Sequence, residues 1–198
     1  MARPAGQTST RKDIITIAQD LFARKGYFAT SMEDIRTEMN VSKGTLYYHF
    51  SKKEDLFLEC VKVASEDWFL EWVEHSKQAE TATDKLYLLG EYYASDTKNS
   101  LSSTIPEFLG LEHLELNLIK KDVLELIKPE YTVFEQVIEE GIEKKEFREG
   151  INKDNSVLIL YTTLTGLSVA HSVFVEEDDF KANIIFKEAI EYFINGIK

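Results

Sequence analysis

The sequence predicts an all-α protein, with a small three-helix unit at the N-terminus followed by a larger helical domain. Three observations point there. Apolar residues recur at intervals of three and four, and no stretch alternates in the manner of a strand. The three prolines and nine glycines leave long intervals uninterrupted. Near the N-terminus, hydroxyl residues followed three positions later by Glu mark two helix starts.

Residues 1–9 are polar with Pro4 and Gly6, and are expected to form a flexible arm. Thr10 is positioned to cap the first helix, whose buried face is Ile14, Ile17, Ala18, Leu21 and Phe22. Lys25 and Gly26 close it, a cation in the last turn and a glycine just beyond. Thr30 is expected to cap the second helix, with Glu33 reaching back, and Met32, Ile35 and Met39 face inward. Asn40 suits the left-handed residue that ends it. Ser42 caps a third short helix from Lys43 to about His49, burying Leu46 and Phe50. Ser51 and Glu54 form the second capping signature, opening a long helix with Leu56, Phe57, Cys60, Val61 and Ala64 as its stripe.

Further helices are expected near 82–99, 104–116, 118–146, 154–175 and 179–196, with a kink or break at Pro129. The expected division is therefore an arm at 1–9, a three-helix head at 10–55 and a body at 56–198.

With 43% hydrophobic and 12% aromatic residues the chain can bury a core. No apolar run approaches the ~20 residues of a membrane span, and the N-terminus lacks the apolar stretch of a secretory signal. A single cysteine, Cys60, gives no disulfide framework and fits a reducing, cytoplasmic setting. The net charge of −12 is unevenly spread. Residues 1–55 carry 9 Lys/Arg against 7 Asp/Glu, whereas residues 56–198 carry 14 against 28. A slightly basic head on an acidic body is compatible with nucleic-acid binding by the head alone.

Two short helices joined by a tight turn, behind a longer supporting helix, describe a helix-turn-helix. Ser42, Lys43, Gly44 and Thr45 would begin the helix that approaches base edges. They offer a cation for phosphate, one point without a side chain, and hydroxyls for hydrogen bonds. Tyr47 and Tyr48 can reach phosphate or a thymine methyl, or serve as surface aromatics. His49 and Lys53 lie where the next helix begins, and Thr30 and Ser31 where the second does; exposed amides at helix starts favour phosphate.

The run Gly26-Tyr27-Phe28-Ala29-Thr30-Ser31-Met32-Glu33-Asp34-Ile35, then Val41-Ser42-Lys43-Gly44-Thr45-Leu46-Tyr47-Tyr48-His49-Phe50, then Lys52-Lys53-Glu54-Asp55-Leu56, closely resembles the DNA-binding domain of the TetR family. A weaker likeness to a turn of that family's regulatory domain lies at residues 140–147. The resemblance implies a transcriptional regulator, generally a repressor and not an enzyme. It would bind a double-stranded palindromic operator as a homodimer, pair through its last two helices, and release DNA when a small molecule enters the body.

Candidate effector-binding residues are Phe69, Trp72, Tyr92, Tyr93, Phe108, Tyr131 and Phe134, with Trp68 and Tyr161 among the same aromatics. Such stripes also serve as plain core. Thr162 and Thr165 add polar groups to an apolar helix, or are satisfied by its backbone or by a partner subunit. An aromatic-rich site suits an apolar or amphipathic effector; the acidic body leaves a cation open through cation–π contact. For the dimer, 157–175 with Gly166, Ser168 and Ala170, and Ile184, Ile185, Ala189, Tyr192 and Phe193, are the expected faces. His75, His113 and His171 are scattered without metal-ligand spacing, and no catalytic motif occurs, so no cofactor is expected.

Overall fold

The computed structural model describes residues 6–95, 101, 104–110, 116–174 and 179–198. Among these the chain is helical: α1 (Gly6–Lys25), α2 (Met32–Glu38), α3 (Lys43–His49), α4 (Lys53–His75), α5 (Ala82–Ser95), α6 (Ile105–Leu109), α7 (Leu116–Glu143), α8 (Lys153–Phe174) and α9 (Asp179–Ile197). A 3-10 turn, Ser76–Gln78, follows α4. No helix among the described residues is long and apolar enough to cross a membrane.

Two compact units result, residues 1–65 with 103–127 and residues 66–102 with 128–198. The head is thus larger than the expected 10–55 and discontinuous in sequence. Its core gathers Ile14, Ala18, Leu21 and Phe22 of α1, Ile35 of α2, Leu46 of α3, and Leu56, Phe57 and Cys60 of α4, all at most 2% exposed. Phe108 of α6 completes it. Its ring lies 5.0 Å from Tyr27 and 4.7 Å from Phe57, and both of those also touch Phe22. Buried aromatics meeting edge to face each contribute about 0.5–1.5 kcal/mol beyond the area they remove from water. Phe108, which the sequence groups with the body's aromatics, is therefore part of the head core.

The second unit packs α5, α8 and α9 with the latter part of α7 around Leu86, Leu89, Phe134, Ile138, Leu164, Phe186 and Ile190. Gly90 lets α9 come close, because a Cβ there would lie 2.8 Å from Ile190. Gly141 is fixed more tightly: its Cβ position lies 2.0 Å from the ring of Phe147, which the chain folds back after α7 through Lys145 in the left-handed region (φ 59°). Just before Phe147, the Glu146 carboxylate accepts the amides of Ala82 and Thr83 at 2.9 Å each. Thr81 and Asp84 form a capping box at the same helix start. The first-turn amides of α5, which have no partner inside the helix, are met in this way.

Four expectations on element boundaries are corrected. Helix α1 begins at Gly6, not beyond Thr10, since nothing in Gln7–Ser9 breaks it; of the expected arm, residues 1–5 lie outside the described residues. Ser51 does not close a box with Glu54; its hydroxyl donates to Asp55 at 3.0 Å. Of the kink or break expected at Pro129, the break is excluded, because α7 runs through it. The proline is exposed, so water can reach the carbonyl its ring leaves unbonded. The segment expected as helix 104–116 is helical at Ile105–Leu109, and its residues 111–115, with His113, lie outside the described residues, as do 96–99 and 175.

Candidate nucleic-acid interface and effector cluster

Helix α1 ends at Gly26 (φ +84°), and Asn40 (φ 51°) ends α2, so both turns of the three-helix unit run through left-handed residues. The cap of α2 is Ser31, one residue later than expected. Its hydroxyl accepts the Asp34 amide at 3.1 Å, and the Asp34 carboxylate accepts the Ser31 amide at 2.8 Å. The Ser31 hydroxyl and amide hold Asp34 below the ordinary carboxylate range. Glu33 instead accepts from the Arg36 guanidinium at 2.7 Å, which lowers its own pKa.

Thr30 turns inward and is 1% exposed. Its hydroxyl donates to the Gly26 carbonyl at 2.8 Å and the Leu21 carbonyl at 3.2 Å, tying the start of α2 to the end of α1. Its side chain is therefore internal, in contrast to the outward group expected. Lys53 also departs from expectation. Its ammonium donates to the carbonyls of Tyr27 (2.9 Å) and Thr30 (3.0 Å) and lies 4.1 Å from the Tyr27 ring centroid. Desolvation lowers its pKa, partly offset by Glu54 and Glu107. Two of its three donors are used inside the head, so it is a strut first.

Helix α3 has a clear inside and outside. Leu46 is 0% exposed, whereas Tyr48 is 73% and Tyr47 44% exposed. The Ser42 hydroxyl accepts the Thr45 amide at 3.1 Å and lies 2.9 Å from the Thr45 hydroxyl, fixing the first turn. Lys43 is exposed, with its ammonium 5.6 Å from the Tyr47 ring. His49 is half-buried, edge-on to Tyr48 at 5.1 Å. Gly44 meets only the Ser42 hydroxyl, at 3.7 Å, so the fold itself gives no reason for a glycine there.

Apart from Lys53, the basic residues of 10–55 divide into two groups. Arg11, Arg24, Lys25 and Arg36 are paired with Glu59, Asp20, Asp34 and Glu33. Lys12, Lys43 and Lys52 are exposed and form no ion pair among the described residues. The cations free for phosphate are thus fewer than the composition suggests.

In the body the rings form a continuous series. Trp72 stacks on Trp68 (6.2 Å, 11°), Trp68 meets Tyr92 and Tyr93 edge-on, Tyr93 meets Phe134, Phe134 meets Tyr161, and Tyr161 meets Tyr131. Trp72, Tyr92, Tyr93, Tyr131 and Phe134 are therefore brought together. Phe69 is not: it is exposed on α4, with no ring contact among the described residues. Thr162 and Thr165 donate to the carbonyls of Leu158 (2.7 Å) and Tyr161 (2.8 Å), the helix-backbone alternative. Two carboxylates border the rings: the Tyr93 hydroxyl donates to Glu130, and the Tyr92 hydroxyl donates to Glu71. Burial pushes the Tyr161 phenol up, and Glu130 adds to that. Neither glutamate was a sequence candidate, because an acid on a helix reads as solvated until its partner on another element is seen.

Residues 64–198 match the family model described as QacR-like protein, C-terminal region, and residues 14–60 match that of bacterial regulatory proteins, tetR family. The chain belongs to the TetR family. Among relatives of this TetR-family chain, the HTH-type transcriptional regulator QacR of Staphylococcus aureus (strain Mu50 / ATCC 700699) is 28% identical over 187 residues, 93% of this chain and 96% of its own. The fatty acid metabolism regulator protein of Bacillus subtilis (strain 168) is 27% identical over 139 residues, 70% of this chain and 71% of its own. The fold is shared with the crystal structure of FadR from Bacillus subtilis in complex with stearoyl-CoA (TM-score 0.80, 21% identity, 94% of this chain and 99% of that one). As a TetR-family member the protein is a DNA-binding transcriptional regulator, not an enzyme. The family match at the head includes α2, α3 and the start of α4, the segment whose outer face carries Ser42, Lys43, Gly44, Tyr47 and Tyr48.

Proposed function

We propose that the protein is a cytoplasmic homodimeric repressor that binds a palindromic operator and leaves it when a small molecule occupies the body. The observation that carries this reading is α3. It is capped at Ser42 and anchored by a fully buried Leu46, yet it presents Lys43, Gly44, Tyr47 and Tyr48 to the outside. Gly44 has no internal reason to lack a side chain, which is expected where a backbone must approach a groove edge.

The dimer reading rests on an uncovered apolar face. Leu158 and Ile159 of α8 are 52% and 57% exposed, and Ile184, Ile185 and Tyr192 of α9 are 41%, 37% and 73% exposed. Nothing lies within 4 Å of a Cβ built at Gly166, so a second copy of α8 has room to approach. Two recognition helices about 34–36 Å apart, or somewhat more, would then read one palindrome.

The ring series from Trp72 to Tyr131 supports an apolar or amphipathic effector. Glu71 and Glu130 at its border favour a ligand with a cationic end, as a second reading. Effector and operator must weaken each other by the same factor, commonly about 5–150-fold. The deciding experiment is selection of bound duplexes from a random library with purified protein at moderate salt. A palindrome is the expected product, and no enrichment from folded dimer would sink the operator reading.

A further inference from the structure

A carboxylate occupies the place where a side chain at residue 26 would be. Gly26 has φ +84°, and a Cβ built on it would lie 2.7 Å from Oε1 and 2.9 Å from Oε2 of Glu107. The Glu107 carboxylate also accepts the Phe28 amide hydrogen at 3.2 Å, across 79 residues of sequence. Glycine at 26 therefore serves two ends: it permits the left-handed turn, and it leaves room for this acceptor.

Helix α6 is anchored for the purpose. Phe108, next to Glu107 and 1% exposed, packs on Tyr27 of the same turn and on Phe57 of α4. From Phe28 the chain runs directly into the internal Thr30 and the Ser31 cap of α2. Lys53 grips the carbonyls of Tyr27 and Thr30 on the other side of Phe28. The turn is thus held from α4 by a donor and from α6 by an acceptor.

We infer that Glu107 is a positioning residue for DNA recognition: from α6 it fixes the α1–α2 turn, and through that turn the seat of the helix-turn-helix. The inference rests on the DNA-binding reading of the head. A charge-assisted bond to a backbone amide in the hinge of a rigid reader is lost with its acceptor, so recognition weakens while the core persists.

The test compares the full-length wild type with Glu107→Ala and Glu107→Gln, the latter keeping an oxygen acceptor. Operator affinity, the urea midpoint and hydrogen exchange at the Phe28 amide are measured on each. Glu107→Ala is expected to weaken operator binding about tenfold and to speed Phe28 exchange, with little change in midpoint. Glu107→Gln is expected to recover most of both. Should Glu107→Ala fold poorly, Glu107→Met keeps the side-chain length without an oxygen, and the comparison passes to Met against Gln. Equal operator affinity in the variants with and without an acceptor would overturn the inference. A wild type that binds no duplex overturns the DNA reading instead, and Phe28 exchange in the same variants still reports whether the bond exists.

Discussion

The head and the body solve the same problem, ending and joining helices, by different means. In the head the starts of α2 and α3 are capped locally: Ser31 with Asp34 and Ser42 with Thr45 bond across three residues, and Thr30 bonds back to Gly26 four residues away, while the α1–α2 turn also takes remote partners in Lys53 and Glu107. In the body the local box of Thr81 and Asp84 is joined by remote bonds: Glu146 caps α5 from 63 and 64 residues off, and Tyr93 reaches Glu130 across 37. Caps set by their own residues fix the starts of α2 and α3 independently of distant elements, whereas the start of α5 also depends on the turn after α7. The glycines divide the same way, with Gly26 and Gly44 serving turn and approach and Gly90 and Gly141 serving packing.

The sharpest way to break this contrast is to overfill the body. Gly141→Ala places a methyl inside the Phe147 ring and is expected to cost about 1–3 kcal/mol of stability, read from urea unfolding, with operator affinity of the folded fraction kept. A midpoint equal to wild type would mean Phe147 moves freely and the packing account of that turn is wrong.

Next, Lys53→Ala separates strut from contact. Loss of its two carbonyl bonds is expected to lower stability by about 1–2 kcal/mol, while a residue serving phosphate alone would leave the midpoint untouched.

On the outer face the expectation reverses. Lys43→Ala and Tyr48→Ala should each weaken operator binding about tenfold in titrations at fixed salt, with midpoints within about 0.5 kcal/mol of wild type. Gly44→Leu belongs with them, since the fold leaves that side open. Unchanged affinity in all three would remove α3 from the reading surface.

The smallest effect is the acid side of the body's stability. Burial pushes the Glu146 carboxyl up, but the Thr83 and Ala82 amides and the Thr83 hydroxyl outweigh it, and the net pKa lies below the ordinary value. A depressed carboxylate contributes stability that is present above the unfolded pKa and fades as pH falls through the folded one. Urea midpoints followed downward from about pH 5 should therefore drop less steeply in Glu146→Gln than in wild type. Parallel curves would show that the cap carries no protonation linkage.

These contrasts also explain what was legible in the sequence. The helices, the left-handed Asn40, the Ser42 cap and the outward face of α3 follow from spacings of three and four, which any single helix must obey. The one-residue error at α2 arose because Thr30 with Glu33 and Ser31 with Asp34 both fit the capping pattern. Only the bonds of the Thr30 hydroxyl to the Leu21 and Gly26 carbonyls decide between them. Phe108 was assigned to the wrong unit for a different reason. It belongs to the head through rings about fifty to eighty residues away, and periodicity carries no such information. The carboxylates of Glu71, Glu107, Glu130 and Glu146 were invisible on the same ground, each being defined by a partner on another element.

The discontinuity of the head bears on how such proteins can be recombined. A DNA-reading module cut at a single junction after residue 65 would leave without Phe108 and Glu107. Tyr27 and Phe57 would lose their aromatic cover and the Phe28 amide its acceptor. A working graft onto a foreign body would need either a second splice carrying residues 103–127 or a host that already supplies an aromatic and an acid in register. Exchange of specificity between such regulators should therefore be easier by replacing the few outward residues of α3 than by trading whole heads.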